Sequence, residues 1–360
     1  MAAVTPPFSA ADWERLRRDY AAWWQGILER PLVQIVMPRA GAAPAPPLPH
    51  FIADWSRRHS PQQTAAAVET VLTAAEYLGD AYPTWWPNFG AGVVAAFLGS
   101  PLLEDRNTVW FYPLAAARLA DIQAAPHPDS PWWRQVLATT RAACARLGAW
   151  AQVGFTDLGG AMDILASLRG TQALLCDLLD CPDQVARLVD QIHDTWFYYY
   201  DRLAQVILQH CPGSTSWAPT WGPGRAYMFQ SDFSYMISPA CFAHLVLPEL
   251  ERAFARVEYP CYHLDGIGQL PHLDLLLASP TLRGVQWVPG DGKPPQHEWL
   301  PVLGRIIGAD KRCQVFCSLE SALRIVRALG GKGFMFRIGC SAQELEAAAP
   351  ALAELGVPGF

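Results

Sequence analysis

The sequence predicts an α/β fold, a (β/α)8 barrel of the TIM type with an N-terminal helical extension. From residue 150 onward strand and helix patterns alternate six times, and such alternation requires parallel strands joined by helices. Two earlier strands raise the number to eight, which closes a barrel. Polar and glycine residues repeatedly follow the strands, at the end where barrel enzymes place their sites. A doubly wound open sheet is the alternative, but no GxGxxG follows the first strand and no Walker loop occurs.

Length and composition bound the domain organisation and the partners. With 360 residues, the chain could form two ordinary domains or one large barrel. We expect residues 1–80 to form a helical extension packed on the barrel and residues 81–360 to form the catalytic barrel, although the first strand could already lie at residues 32–37. The net charge is −6 and no run of Lys and Arg occurs, so we expect no nucleic-acid partner.

The sequence also carries signals about location. The N-terminus lacks the pattern of a signal peptide, and no apolar stretch reaches the roughly 18 residues of a membrane span. The nine cysteines include no CxxC pair, which favours reduced thiols. We therefore expect a cytoplasmic protein that does not enter a membrane.

Capping residues and prolines mark the elements of the first half. Ser9 is a good N-cap, apolar residues follow it at helical spacing as far as Leu28, and Pro31 ends the helix. Pro61 opens the second helix. The predicted helices of this half cover residues 9–28, 61–78, 131–147, 161–178 and 183–209, and the predicted strands cover residues 32–37, 108–112 and 150–155.

In the second half, short apolar runs alternate with helical patterns. Ser238 is the N-cap of a helix that has Pro239 at its first position. The predicted strands cover residues 214–217, 259–266, 284–288, 313–317 and 334–339, and the predicted helices cover residues 239–256, 269–278, 296–308, 318–329 and 341–354.

The segment Tyr259–Gly266 carries the most chemistry. His263 and Asp265 are two residues apart, so on a strand both side chains point to the same face. Gly266 and Gly268 then allow the chain to turn sharply. This pattern is typical of a catalytic strand end. The alternative is a His packed beside the strand, with Asp265 capping the next turn.

Two further loops carry candidate polar groups. Asp157 follows the strand at residues 150–155 and precedes two glycines, so we predict a catalytic role for it; Asp232 would accept hydrogen bonds from a substrate. Both could instead be helix caps. Arg225, close to Tyr227, would suit a substrate carboxylate through a bidentate contact, or it could form a surface salt bridge.

Aromatic residues in glycine-rich or proline-rich segments suggest a pocket wall. The loop at residues 82–90 contains four aromatic residues, and its two prolines and one glycine exclude a helix. Packing in a large core is the alternative. The residues predicted to bind substrate are Trp85, Trp86, Asn88, Trp217, Trp221, Arg225, Tyr227, Asp232, Tyr235, Gln286 and Trp287.

Four motifs together resemble a known family. They are Thr156–Gly160 with Asp163-Ile164-Leu165, Asp232–Pro239, Tyr262–Gly266 and Gln286–Gly290. Their identity and order resemble the uroporphyrinogen decarboxylase superfamily, and within it the branch related to cobamide-linked methyltransferases. The resemblance covers residues 80–340 and implies a barrel. The decarboxylases proper carry an R-Q-A-G-R-Y signature, whereas Val36–Gly41 lacks the full motif.

The resemblance also implies a metal site. The zinc methyltransferases carry H-x-C at one strand end and a further Cys on the last strand; here His263-Leu264-Asp265 takes the first place and Cys340 the second. The implied ligands are therefore His263, Asp265 and Cys340, with Cys317 as a spare, and Zn2+ accepts all three donor types. Cys340 could instead be a buried thiol, and His263 with Asp265 a metal-free acid–base pair.

The function that the resemblance implies is a zinc-dependent methyl or alkyl transferase. It would act on a small methylated substrate, with a thiol or a corrinoid carried by a partner protein as acceptor, and dimers are common in the superfamily. Two alternatives stay open at this point. One is a metal-free decarboxylase or lyase acting on a small carboxylate, and the other is a non-catalytic small-molecule binder.

Overall fold

A seven-stranded sheet lies at the centre of the fold in the computed structural model, which describes residues 7–42, 45, 48–105, 107–114 and 118–360. The strands are β1 Leu32–Pro38, β2 Ala75–Gly79, β3 Thr84–Trp85, β4 Leu102–Asp105, β5 Thr108–Phe111, β6 Gln152–Val153, β7 Ala226–Phe229, β8 Tyr259–Asp265, β9 Gly284–Val288, β10 Arg312–Ser318 and β11 Phe334–Gly339. The order in the sheet is β2-β1-β11-β10-β9-β8-β7. The pair β1–β2 is antiparallel and the other pairs of this sheet are parallel.

Helices connect the strands and cover the sheet. They are α1 Ala10–Trp24, α2 Ala53–Ser56, α3 Pro61–Thr73, α4 Val94–Phe97, α5 Pro131–Leu147, α6 Ala161–Arg169, α7 Thr171–Asp180, α8 Pro182–His210, α9 Pro239–Cys241, α10 Leu247–Phe254, α11 Leu273–Ala278, α12 Leu300–Gly308, α13 Leu319–Leu329 and α14 Ala342–Glu354. Short 3-10 turns lie at Leu119–Asp121, Asp232–Met236, Ile267–His272 and Gln296–Glu298, and a π segment at Phe242–Val246 joins α9 to α10. None of the helices in the described ranges combines the length and apolar character needed to cross a membrane.

The two faces of the sheet differ in composition because side chains alternate along a strand. One face, here the apolar face, packs against the helices of the main core and carries Val33, Ile35, Tyr262, Leu264, Val285, Trp287, Val315 and Phe336. The opposite face, here the polar face, carries Leu32, Gln34, Met228, Cys261, His263, Gln286, Gln314, Met335 and Arg337. A second hydrophobic cluster covers only one end of the polar face.

Helix α1 seals the N-terminal strand ends of the polar face. A capping box at Ser9 and Asp12 starts the helix. Its apolar stripe, which includes Trp13, Tyr20 and Trp23, packs with Trp221 and with the polar-face residues Leu32, Met228, Cys261 and Met335. The indole N–H of Trp23 donates to the backbone oxygen of Phe334 (3.1 Å). The tryptophans at this end are therefore packing residues whose N–H groups find partners.

The parallel β/α alternation predicted for the last third of the chain is confirmed by β8 to β11 and by α11 to α14. The strand predicted at residues 32–37 is confirmed as β1, a member of the same sheet. The helix predicted at residues 61–78 ends at Thr73, since residues 75–79 pair with β1 as β2.

Three predicted strands are wrong as members of the central sheet. The strand at residues 150–155 is only β6, which pairs with β3 in a separate two-stranded sheet. The strand at residues 108–112 is β5, which pairs with β4 in a separate, half-exposed hairpin. Residues 214–217 form only an isolated bridge between Ser214 and Gly222, because Pro219 and Pro223 interrupt regular pairing. The sheet instead includes β7, a fully buried four-residue strand that shows no alternation in the sequence.

Candidate metal centre

Strand β8 and the turn after β7 bring together one imidazole and two carboxylates. His263 and Asp265 lie on the polar face of β8, with 3.8 Å between His263 Nε2 and Asp265 Oδ2. Asp232 begins the turn after β7, and because β7 and β8 are parallel neighbours their carboxyl ends meet. One ligand atom from each of the three residues lies within 4.8 Å of the others. Among the described side chains these three therefore converge as a metal-binding group would.

A ladder of amides orients His263. Gln286 Nε2 donates to Gln314 Oε1 (2.8 Å), which leaves Gln286 Oε1 facing the His263 ring. An amide oxygen can only accept, so Nδ1 of His263 carries the proton and donates to it. The remaining nitrogen, Nε2, then has a free lone pair on the side of Asp265. Fixing the tautomer through the second nitrogen is the arrangement found for metal-bound histidines.

Trp217 forms one wall of the centre. Its ring packs edge-to-face on the His263 ring, with 4.8 Å between the centroids. The indole Nε1 is buried and has no hydrogen-bond acceptor in the described part of the chain. A buried N–H without a partner is unfavourable, so a ligand oxygen beside His263 would satisfy it.

Two further carboxyls lie behind Asp232. Asp163, in the first turn of α6, accepts from the backbone N–H groups of Asp232 (3.1 Å) and Phe233 (2.7 Å) and thus holds the turn in place. Asp157 is buried and accepts from the N–H of Gly159 (2.9 Å). Burial, together with the charge of Asp232, raises the pKa of Asp157 to about 7 and that of Asp163 to about 8.

Asp232 itself is held between opposing charges. Asp232 is exposed as a residue, but partial loss of water around its carboxyl raises its pKa, the nearby His263 lowers it, and the carboxylate of Asp265 raises it again. Several carboxylates this close repel one another when all are ionised. A bound divalent cation would remove that repulsion and favour the ionised forms of the carboxylates that bind it.

There is room for a small ligand beside these carboxyls. A cavity of about 380 Å³ lies against Asp163 and Asp232, and the β4–β5 hairpin closes its other side through Trp110 and Phe111. In the turn after Asp265, the ring of Tyr235 lies against Gly268; a Cβ at that glycine would come within 2.6 Å of it. The glycine therefore permits the turn after β8 to pass directly beneath the tyrosine.

The structure brings part of the predicted site together. His263, Asp265, Asp232, Gln286 and Trp217 converge, and Tyr235 borders them. Asp157 lies in the acidic group behind them. Trp85 and Trp86 are partly buried in and after β3, and no contact among the described residues links them to His263. Asn88 is buried in its own turn, where its side chain accepts from the N–H of Gly90 (3.1 Å).

The two cysteines predicted as ligands do not join the metal centre. Cys317 lies on β10 beside Ile338 and packs, like Cys340, against the main core. His263 points to the polar face, so the sheet itself separates it from Cys317. Asp232 takes the third ligand place that the sequence interpretation gave to Cys340.

Other predicted substrate contacts lie elsewhere. Trp287 and Tyr227 are fully buried on the apolar face, where the Tyr227 hydroxyl accepts from the N–H of Leu158 (2.8 Å) and so supports the loop that carries Asp157. Trp221 is buried against α1 and donates to Gln152 (3.0 Å). Arg225 directly precedes β7, at the N-terminal strand ends, and is paired with Asp201. Its alternative interpretation as a salt-bridge residue fits this placement.

Sequence reasoning assigned no role to Gln314, Asp163 or Arg337, although Asp163 stands in one of the motifs that carry the family resemblance. A usable signal existed for Gln314, because a glutamine in the middle of an otherwise buried apolar strand needs a polar partner. The role of Asp163 depends on the turn at Asp232, which is 69 residues away in the chain and cannot be read from local spacing.

Comparison with known proteins adds no relative. No protein-family model matches the chain, and no curated protein matches it significantly.

Proposed function

We propose that this protein is an enzyme that uses one divalent metal ion, held by Asp232, His263 and Asp265, to activate a small substrate. The observation that carries the proposal is the convergence of these three ligand atoms within 4.8 Å at the carboxyl ends of two parallel strands. The fixed tautomer of His263 supports it, because Nε2 is then available as a ligand.

The donor set favours zinc or a similar ion acting on an oxygen-bearing group. One imidazole and two carboxylates suit Zn2+, Fe2+ or Mn2+, whereas thiolates would select softer metals. Three protein ligands would leave a coordination position for substrate, and a bound zinc would supply Lewis-acid polarisation or lower the pKa of a water there. Trp217 excludes water on one side and offers its free N–H to a substrate oxygen.

Methyl or alkyl transfer, which the resemblance implies, is the second candidate. The observation in its favour is a group of four carboxyls, Asp157, Asp163, Asp232 and Asp265, that interact with one another close to His263, whose ring packs edge-to-face with Trp217. Acidic groups and an aromatic ring attract a methylated ammonium or sulfonium donor. The acceptor would be a small thiol or a corrinoid on a partner protein.

We also propose that the sheet closes into a barrel. The parallel pair β3–β6 supports this, since two residues after β6 the N–H of Phe155 donates to the backbone oxygen of Thr215 (2.9 Å), and the neighbouring Ser214 accepts from the N–H of Ala226 at the start of β7 (2.8 Å). Closure through these segments would give the polar face an interior. The antiparallel β2 is a departure from the standard barrel. The cytosolic location and the homodimer expected from the sequence stay predictions.

The test of the metal proposal is stoichiometry. The purified protein is stripped with a chelator, dialysed against zinc and then against buffer, and analysed by plasma mass spectrometry. We expect one zinc per chain, lost in His263→Ala, Asp232→Asn and Asp265→Asn variants that keep the far-UV circular dichroism of the parent.

The cysteines supply the matched controls. Cys340→Ser and Cys317→Ser should each retain one zinc. A parent protein that holds no metal, or a loss of zinc in either cysteine variant, would contradict the proposal. If the zinc-loaded protein forms a methylated thiol from glycine betaine and 2-mercaptoethanol, the result would support methyl transfer, the second candidate function.

A further inference from the structure

Arg337 is a cation on the polar face without a counter-charge. It lies on β11 beside Gln34 of β1 and Phe316 of β10, two residues beyond the buried Met335. Its side chain is mostly buried, and within the described ranges its guanidinium has no hydrogen-bond acceptor and no carboxylate partner. The titratable groups that act on it are the phenol rings of Tyr20, Tyr77 and Tyr82.

The three tyrosines do not neutralise this charge. Burial raises the pKa of each of the three phenols, so all are uncharged at neutral pH. Their hydroxyls also have other partners: Tyr20 donates to the backbone oxygen of Asp80 (3.1 Å), and Tyr77 donates to that of Leu72 (2.9 Å).

Other buried arginines of the chain are compensated. Arg30 pairs with Asp80 (2.7 Å) and Asp19 (2.9 Å), and Arg312 pairs with Asp310 (2.5 Å). A mostly buried charge without a partner is unfavourable unless a ligand or water compensates it. Arg337 therefore lacks the carboxylate partner of a structural ion pair and is available to bind a ligand.

We propose that Arg337 binds a carboxylate of the substrate, while the opposite end of the same molecule reaches the metal centre. A planar guanidinium binds a carboxylate through two parallel hydrogen bonds. A guanidinium carries one positive charge and so matches a single carboxylate; the other cation that acts on the neighbouring Tyr77 is Arg39.

The register sets the length of such a substrate. His263 pairs with Gln286, Gln286 with Gln314 and Gln314 with Met335, so Arg337 lies two residues further along than the level of His263, as Asp265 does. Three strand spacings separate β8 from β11, about 14 Å along the sheet. The carboxylate on Arg337 is therefore an anchor, remote from the reacting atoms. This inference rests on the proposed metal function for the position of the reacting end only.

The test uses an arginine reagent and does not require the metal. Metal-free protein is treated with p-hydroxyphenylglyoxal, alone or with sodium acetate, sodium succinate or inorganic phosphate, and the modification of each arginine is followed by peptide mass spectrometry. We expect Arg337 to react readily and to be protected at least about tenfold by succinate and acetate, with less protection by phosphate. Arg30, held in its ion pairs, is the internal control and should react slowly in every sample.

Three outcomes would overturn the proposal: an Arg337 that does not react without ligand, a reaction that the carboxylates do not slow, or stronger protection by phosphate. Arg337→Met gives a second measurement, since succinate binding in calorimetry should weaken at least about tenfold while zinc stoichiometry stays at that of the parent. If Arg337→Met does not fold, the protection experiment on the parent protein decides alone. If the carboxylates protect Arg337 but the protein binds no zinc, the proposal that Arg337 binds a carboxylate stands and the proposed metal function is wrong.

Discussion

The two ends of the polar face use the same strands for different purposes. At the N-terminal ends Leu32, Cys261 and Met335 are fully buried beneath the tryptophans of α1. Two residues further along the same strands, His263 and Arg337 are partly exposed and carry chemical groups. The step is only about 7 Å. One end therefore stabilises the fold and the other is free to bind, which predicts that substitutions at the two ends affect different measurements.

The largest effect on stability is expected at the sealed end. Trp221→Ala removes a fully buried indole and leaves Gln152 without its donor, so the free energy of unfolding should fall by about 3–5 kcal/mol. Zinc stoichiometry in the folded protein should not change. The measurement is urea denaturation followed by metal analysis. Trp217→Ala, at the open end, is the matched control and should cost clearly less stability, because its ring is partly exposed. Equal losses in the two variants would contradict the division between the ends.

The acidic group at the open end should make the metal-free protein less stable as pH rises. The pKa of Asp157 is raised to about 7, above the usual value near 3.9, so the folded state keeps a proton that the unfolded state loses. This stabilisation of the folded state is fully present below the pKa that Asp157 has in the unfolded state. It decreases by about 1.4 kcal/mol per pH unit as the pH rises from there to 7. Asp157→Asn should flatten this slope in urea denaturation between pH 5 and 8 with chelator present. An unchanged slope in the variant would show that Asp157 titrates normally.

A smaller effect is expected from the amide ladder. Gln286→Met removes the acceptor that fixes the tautomer of His263, and loss of such a partner weakens metal binding by about 10–100-fold. Competition with a chromophoric chelator gives the affinity. Gln34→Met is the control, because Gln34 lies on the same face but donates to Tyr20 and to the backbone oxygen of Pro219. If both variants weaken zinc binding equally, the ladder has no specific role.

The smallest effect is expected at Cys340. Its thiol packs partly buried at the end of β11 and is not part of the metal group. Cys340→Ser should change the free energy of unfolding by about 0.5 kcal/mol or less, and zinc affinity not at all. Thermal denaturation and the same chelator competition check both.

The common face of His263 and Asp265 could be predicted from the sequence, because two side chains two residues apart on a strand point to the same face whatever the register. Which face that is depends on partners far along the chain. Gln286 and Trp287 are neighbours on β9 and must point to opposite faces, yet the strand is buried on both sides and its sequence shows no alternation that tells them apart. The same ambiguity placed Cys317 among the ligands.

One missed strand accounts for the misplacement of Arg225. With a strand predicted at residues 214–217, Arg225 lies in the loop after it, where barrel sites occur. The strand that pairs with β8 begins at Ala226, so Arg225 precedes it and lies at the opposite edge of the sheet. Four buried residues without alternation do not stand out from loop sequence, and only the pairing with β8 identifies them.

The measurement that tests the central claim most directly is X-ray absorption at the zinc K-edge of the reconstituted protein. A centre formed by Asp232, His263 and Asp265 predicts only nitrogen and oxygen neighbours at about 2.0–2.2 Å, with the outer-shell signal of a single imidazole. A sulfur neighbour near 2.3 Å would place a cysteine on the metal and contradict the account.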